Sequence, residues 1–175
     1  MALIRLNNQS LTAVTALPSA ALPEVAFKRV YTAKNTNAVA FSTTPVTLVS
    51  VPNVVINAGE EVYLAAHIQA RSGQQHHFGL IPHYSGSASG YVGDSSWGIG
   101  IWDPSTSGTQ WFLATTFVNL SHYKSGGGGP FASTGTFTFD IKSKSTHTNG
   151  HWGGETNGTP TTYTPLQVSI LIANA

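Results

Sequence analysis

The stretch EVYLAAHIQAR, residues 61–71, decides the fold. In an extended chain Val62, Leu64, Ala66, Ile68 and Ala70 fall on one side, and Tyr63, Ala65, His67, Gln69 and Arg71 on the other. Successive side chains of a β-strand point to opposite faces, so this period of two predicts a strand with its apolar side on a core. The mixed side must face water or another surface.

The same period recurs on either side of this strand. FKRVYTAK (27–34) reads as a first strand closed by an NTNA turn, and PVTLVSV (45–51) as a second. PNVVINAGEEV then carries a turn at Asn57-Ala58-Gly59. HHFGLIPHY (76–84) is a strand whose Pro82 predicts an edge at its far end, because proline cannot donate to a ladder. WGIGIWD (97–103) and TQWFLATTFVNL (109–120), separated by PSTSG, read as a hairpin-like pair. TGTFTFDIKSK (134–144) turns Phe137, Phe139 and Ile141 inward, and TTYTPLQVSILIA (161–173) does the same with Leu166, Val168, Ile170 and Ile172. Between these lie loops by composition: SGSASGYVGDSS (85–96), HYKSGGGGP (122–130) and HTNGHWGGETNGTP (147–160). About eight strands without a helical period predict an all-β, jelly-roll-like β-sandwich. Uneven strand lengths disfavour an up-and-down barrel, and no fixed-period repeat suggests a propeller or solenoid.

Residues 1–26, MALIRLNNQSLTAVTALPSAALPEVA, differ in kind. Short apolar pairs alternate with polar residues, there is no aromatic side chain, and Pro18 and Pro23 prevent a long helix. The segment cannot form a core. It reads as an extended anchoring arm whose Leu3, Ile4, Leu6, Leu11, Val14 and Leu17 dock on a partner, followed by a head at 27–175. As a signal peptide it is poor, since NNQS breaks its apolar run at once.

Composition narrows the function. Only 9% of the 175 residues are charged, against roughly 25% in an ordinary soluble domain. Few like charges oppose self-association, so a homo-oligomer is expected. A net charge of +1 with scattered Lys and Arg argues against nucleic acid. No stretch approaches the roughly 20 apolar residues of a membrane span, so membrane insertion is not expected. With no cysteine, disulfide frameworks and Cys-zinc sites are excluded.

Seven histidines raise the question of a metal. His67 and His77 fit adjacent strands, and His147 and His151 share a loop, but no HExxH helix or well-spaced carboxylate completes a set. No metal and no cofactor are expected. Tyr63, His67 and Gln69, on the mixed side of the deciding strand, are candidates for subunit contact, with His67 near a symmetry axis as a sharper version. A glycan hydrolase needs paired carboxylates, and Asp94 and Asp103 around Trp97 and Trp102 are the nearest approach. Asp103-Pro104 is an ordinary turn start, and no nucleophile elbow is present, so no catalytic residue is expected. Aromatic residues among Gly, Asn and Ser suit adaptable contact loops. Trp152, Tyr91, Tyr123 and His151 are the candidates there, with Trp152 in NGHWGGETNG the least easily buried.

The opening MALIRLNNQSLTAVTALPS resembles the N-terminus of tailed-bacteriophage virion proteins, in which a segment of the type "LNNQS…VTALP" precedes a β-rich module. The remainder resembles the compact jelly-roll modules of phage fibres, head fibres and capsid decoration proteins, similar to tumour-necrosis-factor-like heads. The resemblance implies a homotrimeric structural protein on the virion surface, attached through its arm to a major capsid or tail protein. It carries over no catalytic residue. Coiled-coil heptads and triple-helix repeats are missing, so a fibre shaft is not expected. Capsid decoration or cement is the first reading. A small tail-fibre module recognising a host surface glycan is the second.

Overall fold

The computed structural model describes residues 27–72, 77–99, 101–102, 110–125, 128–153, 155–156, 159–160 and 166–175. The arm residues Leu3, Ile4, Leu6, Leu11, Val14 and Leu17 lie outside them. The chain runs β1 (Phe27–Asn35), β2 (Val39–Ala40), β3 (Val46–Ile56), β4 (Glu60–Ser72), β5 (Phe78–Gly86), β6 (Gly90–Tyr91), β7 (Ile101–Trp102) and β8 (Gln110–Asn119). It continues through the single turn α1 (Leu120–Tyr123), then β9 (Gly135–Ser145), β10 (Gly150–Trp152), β11 (Glu155–Thr156), β12 (Thr159–Pro160) and β13 (Leu166–Asn174).

Two antiparallel sheets face each other. In the first, β4 lies between β8 and β13, and β1 flanks β13. The short β10 takes the place beside the end of β4, with β2 outside it. The second sheet runs β3-β9-β5, with β6 and β7 both on the far side of β5. The architecture is an all-β, jelly-roll-like β-sandwich, as the period-two reading requires.

The core follows from the alternation. Val62, Leu64, Leu166, Val168, Ile170 and Ile172 of the first sheet are fully buried. They meet Val54, Phe139 and Ile141 of the second, which are equally enclosed. Fully burying such a side chain contributes about 1.5–3 kcal/mol. Two polar groups inside the sandwich are satisfied: Ser143 donates to the Gly79 carbonyl at 2.5 Å, and the Val62 N–H donates to Ser121 Oγ at 2.9 Å.

Four expectations need correction. Residues 45–51 and the stretch after them are one strand, β3, bent by irregular register between Val51 and Val54, where Asn53 takes a positive φ of 58°. The far end of β5 is not an edge, because His83 and Tyr84 pair with β9 on one side and β6 on the other. Pro82 is tolerated because its carbonyl, accepting from Val92 N–H at 2.9 Å, faces the side that lacks a continuous strand. Its ring nitrogen faces the same side, so no ladder bond is lost. The expected hairpin of 97–103 with 109–120 does not exist. Ile101–Trp102 pairs with β5 in the second sheet, whereas β8 pairs with β4 in the first.

Trp152 is the fourth correction, since it is 2% exposed and no contact residue at the surface. β10 pairs with both β4 and β2, which turns the indole between the rings of Phe41 and Phe78, each 4.9 Å away. Gly150, at a φ of 148°, allows the entry: a Cβ there would meet the Arg71 carbonyl and the Phe41 ring. Trp152→Ala should therefore lower stability by about 3–5 kcal/mol in a urea titration. A surface tryptophan would change it by less than about 0.5 kcal/mol.

Candidate functional site

The deciding strand presents its mixed side outward, and its neighbours share that register. Val30, Leu171, Tyr63 and Asn119 form one row across the first sheet. Thr32, Ser169, Ala65 and Phe117 form the next, and Lys34, Gln167, His67 and Thr115 the third. The middle row carries no charge. At one end three rings cluster. Tyr63 and Phe117 stack at 5.7 Å and 20°, while Phe27 meets both edge-on at 5.6 and 6.1 Å. Together with Ala173 they line a hollow of about 260 Å³.

Two of these rings, and Val30 near them, remain in water in the isolated chain, with Tyr63 half-buried. Phe117 is 60% exposed, Val30 56% and Phe27 39%. Lone exposed apolar residues are ordinary, but a contiguous set on one sheet face marks a contact surface. The edge strengthens the case. β8 has ten residues, QWFLATTFVN, with no charge and no proline, and among the described residues it pairs with β4 alone. An uncharged edge of that length is a template for another chain, unless something covers it.

Tyr63 is held in place. Its hydroxyl donates to Glu61 Oε2 at 2.9 Å, and the Asn119 side-chain amide donates to the same oxygen at 2.8 Å. The bond to Glu61, then burial, push the phenol above its ordinary value. Glu61 thus fixes the ring at the rim of the hollow.

Of the residues expected at subunit contacts, Tyr63, His67 and Gln69 all lie on this face, with His67 exposed. Phe27 and Phe117 escaped the sequence reading. The signal for Phe117 was present in the absence of charge in TQWFLATTFVNL and its phase opposite Val118.

Two of the four loop candidates are brought together. Gly93 N–H donates to the Tyr123 carbonyl at 2.8 Å and Ser125 N–H to that of Tyr91 at 3.1 Å, with Val92 opposite Lys124 between them. Val92 is fully buried, so Tyr91 and Tyr123 face out on the other side of this ribbon. His151 lies apart on β10, half-buried beside Trp152. His67 and His77 are not on adjacent strands, since one belongs to the first sheet and the other precedes β5 in the second. Among the described residues no three His or carboxylate side chains converge on a metal position. Asp94 Oδ1 accepts the N–H groups of Ser96 and Trp97, each at 2.8 Å, and so closes a turn, while Asp103 lies outside the described residues.

Strands, core and outer face define a jelly-roll-like sandwich with an aromatic sheet face that no other described element covers. No protein-family model matches the chain, and no curated protein matches it. Among solved structures it is similar to chains of the infectious bursal disease virus, in structures of the Gx and Gt strains. The identities are 11% and 12%, covering 83% and 84% of this chain, with TM-scores of 0.35 and 0.33. The chain spans 36% and 38% of the length of those chains.

A buried charge stands at the start of β4, against the first residues of β1. Glu60 is 4% exposed, pairs with Arg29, and lies 3.6 Å from Lys28. The Asn57 N–H donates to it at 2.7 Å and the Asn57 side-chain amide at 3.2 Å. Burial alone would raise its pKa, but the bonds from Asn57 and Arg29 outweigh it and hold the carboxyl below the ordinary 4.5. The unfolded chain then takes up the proton first as the pH falls, so this contribution is complete above 4.5 and is lost below it. The urea midpoint should drop as the pH falls through that range, and Glu60→Gln should flatten the drop. An equally steep drop in the variant would remove Glu60 as its cause.

Proposed function

We propose that this chain is a structural protein of a tailed-bacteriophage virion, a homotrimeric knob on the particle surface attached through residues 1–26 to a major capsid or tail protein. The observation that carries the assembly half is the aromatic face, its middle row without charge, continuous with the edge of β8, which among the described residues pairs with β4 alone. Three copies packing these faces would remove Phe27, Tyr63 and Phe117 from water together. A chain with few charges pays little electrostatic penalty for such packing. His67, one row from Phe117, would then approach its counterparts near the axis. The attachment half rests on the resemblance of MALIRLNNQSLTAVTALPS to phage virion N-termini and on six apolar arm residues that need a partner. Capsid decoration is the favoured location. The exposed tyrosines of the second sheet favour, as a second reading, a small receptor-binding module of a tail fibre.

Sedimentation equilibrium at micromolar concentration should give three times the chain mass of 18.4 kDa. Phe117→Asp should leave the far-ultraviolet circular dichroism unchanged and weaken association by on the order of 100-fold. That corresponds to about 3 kcal/mol for enclosing an unpaired carboxylate. A wild-type monomer, or a variant that associates as before, would remove this face from the interface. Deleting residues 1–20 should leave a folded head that no longer joins particles when supplied during infection; undiminished incorporation would refute the anchoring role. Hundreds of copies per particle are expected for decoration, and a few tens or fewer would point to a fibre.

A further inference from the structure

The outer face of the second sheet has a different chemistry from that of the first. Tyr91, His83, Asp140 and Ser50 form one continuous row across β6, β5, β9 and β3. The Tyr91 ring leans on His83 at 4.9 Å and 58°, and is 37% exposed. Tyr123, 47% exposed, lies diagonally across from Tyr91 on the ribbon that ends the row. Asp140 Oδ1 accepts the Ser50 hydroxyl at 2.6 Å, which orients the carboxylate and leaves its second oxygen to accept elsewhere. His83 Nδ1 is buried and has no hydrogen-bond partner among the described residues. Burial first, and then the nearby Lys142, hold this imidazole below its ordinary value of 6.5, so it is neutral at neutral pH and retains an acceptor nitrogen.

The next row gives the charge. Lys142 lies between Ile81 and Thr47, and it forms no ion pair among the described residues. Lys144 follows two residues on, its ammonium 4.2 Å from the centre of the Trp97 ring. Two lysines against one aspartate make the strip net positive. From strand spacing and rise, Tyr91 and Lys142 are about 12 Å apart, the reach of two or three linked sugar rings.

We propose that this strip binds an acidic oligosaccharide. The apolar faces of its rings stack on Tyr91 and Tyr123, a hydroxyl donates to the second oxygen of Asp140, and the sugar's carboxylate pairs with Lys142. Aromatic faces supply the area and the polar row supplies orientation. The strip is on the sheet opposite to the aromatic assembly face, so a trimer built on the first sheet leaves it outward. The inference rests on that reading for its accessibility on the particle, but not for binding in solution.

The test uses the full-length chain on an immobilised panel of uronic-acid and sialic-acid oligomers beside neutral glucose and galactose oligomers. At least one acidic oligomer should bind saturably, and neutral ones at least tenfold more weakly. Tyr91→Ala should reduce binding at least tenfold, and Lys142→Gln should reduce binding to acidic oligomers toward the neutral level. Absence of binding across the panel, equal binding of neutral and acidic oligomers, or binding indifferent to both substitutions would overturn the proposal. Sedimentation of the same variants separates the two ideas. Both should associate as wild type does, so lost binding by an intact trimer speaks to the strip, whereas a wild-type monomer that still binds sinks only the assembly reading.

Discussion

The packing of β4 against β13, with both pressed onto the second sheet, is the constraint on which the rest depends. Val62, Leu64, Ile170 and Ile172 are fully buried, and because they alternate strictly, every intervening residue is forced to the opposite face. A slip of one residue would exchange the two sets, so the outward row is as firmly specified as the core. Tyr63, Ala65 and His67 face out because Val62, Leu64 and Ala66 must face in. The neighbouring strands inherit the same phase through the ladder, and this is how Phe117 and Val30 come to share one surface with Tyr63.

Much of this was legible in the sequence because period two is a local signal. The faces of β4, β9 and β13 agree with the alternation of their residues, and so does the all-β class. What escaped was non-local. Nothing in WGIGIWD and TQWFLATTFVNL indicates that one joins the second sheet and the other the first, because pairing partners are chosen by the whole sandwich. Trp152 was misread for the same reason. Gly and Asn around it suggest a surface loop, yet those residues let the chain turn sharply enough to bring the indole between Phe41 and Phe78. The His83 row was invisible because it assembles residues from four strands, of which only Tyr91 stood out by type.

The two outer faces divide the surface by chemistry. One is aromatic and uncharged at its centre, and bounded by β8, which among the described residues pairs on one side only. The other is polar and net positive, with exposed tyrosines at one end. A surface of the first kind gains by excluding water over a broad area, which favours a second copy of a similar face. A surface of the second kind gains by a few placed hydrogen bonds, which favours a hydrophilic ligand. Glu60, paired with Arg29, ties the root of β1 to the β3–β4 turn.

Hydrogen–deuterium exchange of the β8 backbone amides as a function of protein concentration tests the central claim, assembly through the first sheet, most directly. The account predicts slow exchange along Gln110–Asn119 at micromolar concentration, with protection lost on dilution and with no matching change in β5 or β9. Exchange in β8 that is fast at every concentration, or protection gained instead over the second sheet, would contradict it.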